Sequence, residues 1–569
     1  MASPRFPEPP PSVPPTPLAE CDRLLEGLAS KKDAWVKVSL ADRIQLLRKS
    51  IDATLACADA WVEAACRAKG IPADSHRAGE EWLGGPMTVV RNMRLLIESL
   101  HQGGAPQPGG IRRTAGGQAV ATVFPGGLYD RIMFTGMKAE VWIEPGKEPT
   151  QGHIYRQKAA GNFPAGKVSL VLGAGNVASI GPMDALYKLM AEDEVVLLKT
   201  NPVNAYLGPF LEQCMQPFVD AGYFAVVHGG AEVGSHLVNH PRVDTLHMTG
   251  SDRTFDAIVW SPDPDEAARR KAEGRKALDK PFTAELGCVT PVLVVPGPWS
   301  ESDLDFQARH VASMVTNNAS FNCNAAKVLV TAKGWSQREH FIQRVHQILA
   351  QMDPRKAYYP GAQQRYDAFL SQYPQAMPLG ERSPDVVPWT VIPDVPATPG
   401  EYALSNEAFC GVLAEVALDA DDAGTFLREA TRFANDDCWG TLSCMMLIHP
   451  SSQKQYRAEF EDAVAGLRFG GIGVNVWAGV IYGLVVTTWG AFPGHTDEDI
   501  RSGRGVVHNT YLFDHPQKSV IYAPFRISPT PAWFGDHRTL VTLGRRLTHF
   551  EATPSPLRLP GVVAAALGG

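Results

Sequence analysis

Six short runs hold the side chains best suited to chemistry. In chain order they are Gly173-Ala-Gly175-Asn176, Leu198-Lys199-Thr-Asn-Pro202, Met248-Thr-Gly250-Ser251, Thr283-Ala-Glu285-Leu-Gly287, Asn317-Asn318-Ala-Ser-Phe-Asn-Cys323 and Glu407-Ala-Phe409. Together they offer a thiol nucleophile, carboxylates for proton transfer, an ammonium, side-chain amides, and glycines that let a ligand approach the backbone. Each run also has an ordinary reading. Lys199 alone is a surface charge, Ser251 a helix cap and Glu285 a solvated acid. Cys323 alone is a small buried apolar residue, the usual fate of a free cysteine. Gly173-Ala-Gly175 matches only the start of the dinucleotide fingerprint, with Ala178 in place of the third glycine, and a lone match of that kind is weak. Asn176 stands at the turn, where its amide can donate to a ligand.

The surrounding elements must bring these runs together. Residues 18–100 read as helical: Leu24, Leu25 and Leu28 share a face, as do Ile44, Leu47, Ile51 and Leu55. A Gly/Pro-rich break at 101–110 is followed by strand-like runs at 119–124 and 139–143. Four apolar runs then follow, at 168–172, 194–198, 224–227 and 245–248, alternating with helical segments that include 182–190 and about 207–221. That alternation predicts a parallel, doubly wound sheet, whose ligands bind beyond the carboxyl ends of the strands. Residues 261–280 read as an exposed, charged insertion. A second α/β region follows over 291–449, with strands at 328–330 and 445–448.

Composition excludes several classes. The chain has 569 residues, 44% apolar and 20% charged, with a net charge of −7. Those values are globular and exclude a disordered, collagenous or disulfide-scaffold protein, and the lack of basic excess argues against nucleic-acid binding. Nine dispersed cysteines are no disulfide framework and suit a reducing cytoplasm. Eight prolines among the first 17 residues predict a polyproline-like or disordered tail rather than a secretory signal. Residues 469–494 carry no charge, but six glycines make them a buried, turn-rich stretch rather than a membrane span.

Taken in order, the six runs resemble the motif series of the aldehyde dehydrogenase superfamily. The matches are Asn176, Lys199, Thr249-Gly250-Ser251, Glu285-Leu-Gly287, Asn318 with Cys323, and Glu407 with Phe409, and they extend over most of the chain. The resemblance implies a catalytic set. Cys323 would be the nucleophile, Asn176 an oxyanion donor together with the Cys323 N–H, and Glu285 the base that activates water. It also implies NAD or NADP as cofactor. Lys199 would reach the adenine ribose, Gly250 and Ser251 the pyrophosphate, and Glu407 and Phe409 the nicotinamide ribose and ring. Gly229, Gly230 and Gly234 would let the backbone approach the cofactor. No metal site is implied. Cys288, close to Glu285, is a rival thiol without a nucleophile motif around it.

The implied architecture is α/β. A doubly wound, Rossmann-like cofactor domain covers 18–117 and 164–288, and an α/β catalytic domain covers 289–505. A small bridging or oligomerisation β element uses 118–163 and 506–527. The Pro-rich tail is 1–17, and 528–569 extends past the usual family end with no role assigned. The partners expected are a small-molecule aldehyde and further copies of the chain, in a homodimer or homotetramer, with no nucleic acid and no membrane.

Three departures mark a divergent branch. Pro202 replaces the usual glutamate after Lys199, which predicts tolerance of NADP. Ser320 and Phe321 stand where Gly and Gln are usual, so Phe321 is expected along the substrate tunnel. Cys410 and Gly411 replace Gly-Pro. Trp439, Trp477 and Trp489 read first as ordinary core aromatics and second as a substrate wall. The leading function is oxidation of an aldehyde to an acid. The alternatives are an acyl-CoA reductase or CoA-acylating enzyme, against which Glu285 counts, and a catalytically silent cofactor-binding protein.

Overall fold

The computed structural model describes residues 3–569, built on two sheets. The strands are β1 (Gly110–Arg113), β2 (Ala119–Phe124), β3 (Lys138–Ile143), β4 (Val168–Leu172), β5 (Val195–Lys199), β6 (Phe224–Val227), β7 (Thr245–Gly250) and β8 (Phe282–Leu286). They continue as β9 (Pro291–Val294), β10 (Val328–Ala332), β11 (Met377–Pro378), β12 (Thr390–Ile392), β13 (Val412–Leu418), β14 (Ser443–Leu447), β15 (Gly471–Val474), β16 (Gly503–Arg504) and β17 (Pro516–Tyr522).

The first sheet has the order β16-β8-β7-β4-β5-β6, with only β16 antiparallel. Its strands β4 to β7 are the four apolar runs of the alternating segment. The inner pair, β4 and β5, is built mainly of Val and Leu and buried on both faces because helices Leu18–Val36 and Ile180–Met190 pack on it. The chain winds from β4 through β5 and β6 on one side, then returns for β7 and β8 on the other. The winding reverses beside β4, which is where such sheets bind ligands.

The second sheet has the order β1-β2-β3-β17-β15-β14-β9-β10-β13-β12-β11. The strands from β17 to β12 run parallel, while β1, β2, β3 and β11 are antiparallel additions at the ends. Strand β17 lies between β3 and β15, so the hairpin and the parallel strands make one continuous sheet.

Several local expectations are refined. The helix expected over 207–221 is broken into a 3-10 turn and two short helices, Gly208–Cys214 and Gln216–Asp220, because Pro209 and Pro217 can only start a helix. The charged insertion contains a helix, Pro264–Glu273, capped by Asp263 and closed by left-handed Gly274. Of that helix only Ala267 is buried. Residues 469–494 are mostly buried and hold β15 and a six-residue helix, Gly479–Leu484. No helix among the described residues is long and apolar enough to cross a membrane.

The Pro-rich segment is extended and lies against the body. Thr16 N donates to His228 O at 3.0 Å, His228 N donates back to Thr16 Oγ1 at 2.9 Å, and Arg67 Nε donates to Glu8 O at 3.2 Å. At the other end, helices Leu540–Ala552 and Leu559–Leu567 form a small core of their own around Leu543, Phe550 and Val562. The first of them packs tightly on Ala78–Trp82, because Gly79 and Gly544 sit where any side chain would strike the opposing helix.

Candidate active site

The carboxyl ends of β4, β5, β7 and β8 open into a cleft of about 1190 Å³. Ten of the residues singled out above line it: Asn176, Lys199, Gly230, Gly234, Gly250, Ser251, Glu285, Cys323, Glu407 and Phe409. Asn176 lies in the turn after β4, Lys199 ends β5, and Gly230 and Gly234 open helix Ala231–Asn239 after β6. Gly250 ends β7, and Ser251 caps helix Asp252–Val259 by accepting from Thr254 N. Glu285 is in β8, Cys323 follows helix Glu301–Thr316, and Glu407 and Phe409 precede β13.

One end of the cleft suits a nucleotide. Lys199 is buried, and its ammonium donates to the Thr200 carbonyl at 3.3 Å. Burial holds its amine down at about 8. Gly234 lies against the lysine stem, where a Cβ would make an ordinary contact 3.5 Å from Lys199 Cε. Pro202 starts the turn after β5, with Asn201 as its cap, so no acid stands in the next run to neutralise the ammonium. Gly230 begins its helix without a side-chain cap, leaving backbone N–H groups available to an anion.

The other end holds the thiol. All nine cysteines are free, and Cys323 alone is not fully buried. Cys288 does not line this cleft; it is packed beneath Gly440 with its thiol towards the Trp439 and Ser443 carbonyls. The loop before Cys323 turns through three consecutive left-handed residues, Asn318 (φ 51°), Ala319 (φ 57°) and Ser320 (φ 68°). A run of that kind in non-glycine residues is strained and persists only where surrounding contacts over-determine it.

Those contacts come from a buried polar cluster. Asn318 Nδ2 donates to the Asn176 and Phe321 carbonyls at 3.0 and 3.1 Å. Asn318 Oδ1 accepts from Lys69 Nζ at 3.1 Å and Tyr358 OH at 3.0 Å. The same two donors reach the Asn176 carbonyl, at 2.9 and 3.1 Å, and Lys69 is neutralised by Glu81 at 2.9 Å. The two loops are thereby tied to one another. Asn176 Nδ2 donates to Phe321 O at 3.0 Å; an amide carries two N–H groups, so one remains for a substrate oxygen.

Lys327 supports the other side of the thiol. Its Nζ donates to the Asn322 and Cys323 carbonyls, each at 3.1 Å, and pairs with Glu407 at 3.1 Å. Glu407 lies directly over Gly287, where any Cβ would fall inside its carboxylate. The glycine of the Glu-Leu-Gly run therefore has a steric role here. Phe409 adopts a left-handed φ of 42°, held by Arg365, whose guanidinium donates to the Ala408 and Phe409 carbonyls.

The acids shape the electrostatics. Burial, then the neighbouring Asp184, push Glu285 up to about 8, against the opposing side chains of Cys323 and Trp489. Glu407 is also raised by burial, with Lys327 opposing. Burial, then Glu285 and Glu407, push the Cys323 thiol well above its ordinary value, and Lys327 is the cation that counters them. A thiol in this setting waits for a further positive charge before it ionises.

Sequence reasoning missed Lys69, Lys327 and Tyr358. Lys327 left a signal, because it interrupts the apolar run Ala325-Ala326 to Val330. A lysine in such a run needs buried acceptors. Lys69, at the end of helix Leu40–Ala68, reads as an ordinary C-terminal cation.

Residues 157–363 match the family model described as the aldehyde dehydrogenase family. The chain is 28% identical over 160 residues to an NADP-dependent glyceraldehyde-3-phosphate dehydrogenase of Scenedesmus vacuolatus, spanning 28% of this chain and 59% of that one. It is 25% identical over 158 residues to the aldehyde dehydrogenase LUC3 of a Fusarium species, spanning 27% and 31%. These matches thus span under two thirds of each relative's length. In fold, a Mycobacterium tuberculosis aldehyde dehydrogenase complexed with NAD+ aligns over 91% of this chain and 92% of its own, with a TM-score of 0.61 and 16% identity. An NADP-dependent glyceraldehyde-3-phosphate dehydrogenase from Bacillus halodurans C-125, complexed with NADP, aligns over 90% and 92%, with a TM-score of 0.58 and 18% identity.

The chain has the fold of these aldehyde dehydrogenases, and its residues 157–363 match their family model.

Within that fold the chain differs from expectation around Phe321. The ring is buried and lines neither cavity; it packs against Tyr358, Tyr359 and Phe409 at centroid distances of 4.9, 5.8 and 5.8 Å. A large apolar ring gains more from that aromatic cluster than from a half-wetted tunnel wall. The three tryptophans do not form one wall either. Trp439 lines the main cleft, Trp477 lines a second cavity of about 210 Å³, and Trp489 is buried beside Glu285. The second cavity lies across the Asn176 and Cys323 loops from the main cleft: Val177, Asn322 and Asn324 line it, while Asn176 and Cys323 line the cleft.

Proposed function

We propose that the chain is an NAD(P)-dependent enzyme that oxidises an aldehyde to a carboxylic acid through a covalent intermediate on Cys323. The observation that carries this reading is the convergence on one cleft of eight residues from six separate runs, together with Gly230 and Gly234, with Cys323 beside the Glu285 carboxyl. Cys323 Sγ adds to the aldehyde carbon, and the oxygen is met by the free Asn176 N–H and the Cys323 backbone N–H. The bound nicotinamide supplies the hydride acceptor and the positive charge that favours the thiolate. Lys199, Gly230 and Gly250 would hold the nucleotide and its phosphates, and Glu407 the ribose nearest the reaction. The thioester left on Cys323 is hydrolysed by water whose proton passes to Glu285, releasing the acid and the thiol.

NADP as well as NAD fits the Lys199 end, where the ammonium has no acid partner. Nine free thiols suit a reducing cytoplasm. A homodimer or homotetramer formed through the outer strand β1, exposed along its whole length, suits the second sheet. One observation favours a second reading. Glu285 protonated at neutral pH is a poor base for water, and a thioester that outlives it can pass to CoA instead.

The test is an aldehyde panel with NAD or NADP, with and without CoA, followed by reduced-cofactor absorbance. Turnover without CoA is expected, with a loss on the order of 10³-fold or more in Cys323→Ser. Turnover only with CoA transfers the thioester to that acceptor. No reduced cofactor from any aldehyde defeats both readings.

A further inference from the structure

The residues beyond 527 line the second cavity, a place that their sequence does not announce. We propose that this C-terminal segment forms the outer wall of the aldehyde-binding cavity and selects neutral aldehydes of about the size of a benzene ring plus two or three further heavy atoms. The proposal rests on the functional reading above.

The argument begins with position. The partition between the two cavities is made by residues 176–177 and 322–324, which carry the proposed oxyanion donor and nucleophile. An aldehyde held in the second cavity would thus approach Cys323 from the side opposite the nucleotide. The far wall of that cavity is made by Ala532, Trp533 and Leu547, all from the C-terminal segment.

The wall is fixed at both ends. Glu551 accepts from Arg91 Nη1 at 2.5 Å and from Arg94 Nε and Nη2 at 3.0 and 2.5 Å, and Arg91 Nε also donates to the Leu484 carbonyl at 2.8 Å. Arg91 and Glu551 are buried and Arg94 partly so, and their pairing holds helix Leu540–Ala552 against helix Thr88–His101. At the other end the Trp533 ring lies 6.1 Å from His310, and Gly535 N donates to Ser313 Oγ at 3.0 Å. His310 and Ser313 belong to Glu301–Thr316, the helix that leads into the Cys323 loop. A change in the wall is therefore felt at the cavity and beside the nucleophile loop.

The lining sets the chemistry. Its apolar surfaces come from Leu83, Met87, Phe134, Trp477, Trp533 and Leu547. Both cations that line it are already paired, Lys69 with Glu81 at 2.9 Å and Arg91 with Glu551 at 2.5 Å. No lining cation among the described residues is left over for a phosphate or carboxylate on the substrate. An engineered cavity of roughly 150 Å³ holds one benzene. At about 210 Å³ this one has room for a ring and a short side chain.

The test uses the full chain with two variants of opposite effect, Leu547→Phe to shrink the cavity and Trp533→Ala to enlarge it. Substrates are propanal, phenylacetaldehyde and 2-naphthylacetaldehyde. Leu547→Phe should lower kcat/KM for phenylacetaldehyde about tenfold and leave propanal within about twofold; Trp533→Ala should raise 2-naphthylacetaldehyde about tenfold. The cofactor KM should stay put in both. Calorimetric binding of the unreactive 2-phenylethanol is measured on the same proteins, and should weaken about tenfold in Leu547→Phe. If no aldehyde reacts but this binding pattern is seen, the wall stands and the catalytic reading falls. An unchanged aldehyde ranking with unchanged 2-phenylethanol affinity in both variants overturns the wall, as does failure of 2-phenylethanol to bind the unaltered protein. Melting curves identify a variant that does not fold, and the other variant then decides.

Discussion

Glu285 carries two consequences of one burial. Its carboxyl titrates near 4.5 in the unfolded chain and near 8 in the fold. Between those values the folded state keeps a proton that the unfolded state has lost, so stability falls as pH rises and levels off above about 8. Glu285→Gln removes that slope. Its melting temperature should exceed that of the unaltered protein by little at pH 5 and by most at pH 8 and above. In the unaltered protein, hydrolytic turnover should climb through pH 8, and the variant should lose that limb; steady-state rates over pH 6–9.5 check both. Lys199 makes a separate prediction. With no acid beside it, its ammonium is free for a 2′-phosphate, and a charge-assisted contact is worth about 1.5–3 kcal/mol. Lys199→Ala should therefore raise the KM for NADP by about 10- to 100-fold, and that for NAD by much less.

At the scale of elements, the nucleophile loop is the strained piece. Asn318, Ala319 and Ser320 are all left-handed, a conformation that disfavours a residue with a Cβ by roughly 1–2 kcal/mol. Ser320→Gly relieves one of the three, less the entropy a glycine loses on folding, and should stabilise by up to about 1 kcal/mol in denaturant unfolding. Much of this site was legible in sequence because each motif residue sits at a strand end or in a turn. There the residue type is constrained by local chemistry, as at Gly250-Ser251 or Asn176. Lys69 and Tyr358 were not legible. They meet Asn176 and Asn318 across separations of more than a hundred residues in three of the four contacts, and nothing near them in the chain marks the meeting. Phe321 was misplaced for a related reason. Its neighbours Tyr359 and Phe409 are fixed by tertiary packing, and periodicity is silent about which ring a loop residue will meet.

At the scale of the molecule, the alternation of strands and helices over residues 168–248 sufficed for the parallel first sheet, since short connections and a fixed handedness leave few other arrangements. The second sheet was less readable, because β17 enters it between β3 and β15 from more than 370 residues after β3. The cleft draws residues from both sheets' ends: Lys199 and Glu285 from the first, Cys323 and Glu407 from the segments around β10 and β13. A ligand held there binds the folded chain and not the unfolded one. Saturation at about 100 times Kd should add about 2.7 kcal/mol of stability, and the signal should appear as a single upward shift of the melting transition with NADP.

The distribution of thiols has a practical outcome. Eight cysteines are enclosed by the fold, and the ninth stands in the open cleft. A small alkylating reagent applied to the native protein should therefore take up one equivalent per chain, slowly because the Cys323 thiol is held protonated, and no more until denaturant is added. The stoichiometry of that first equivalent counts the chains in a preparation whose cleft is folded and open.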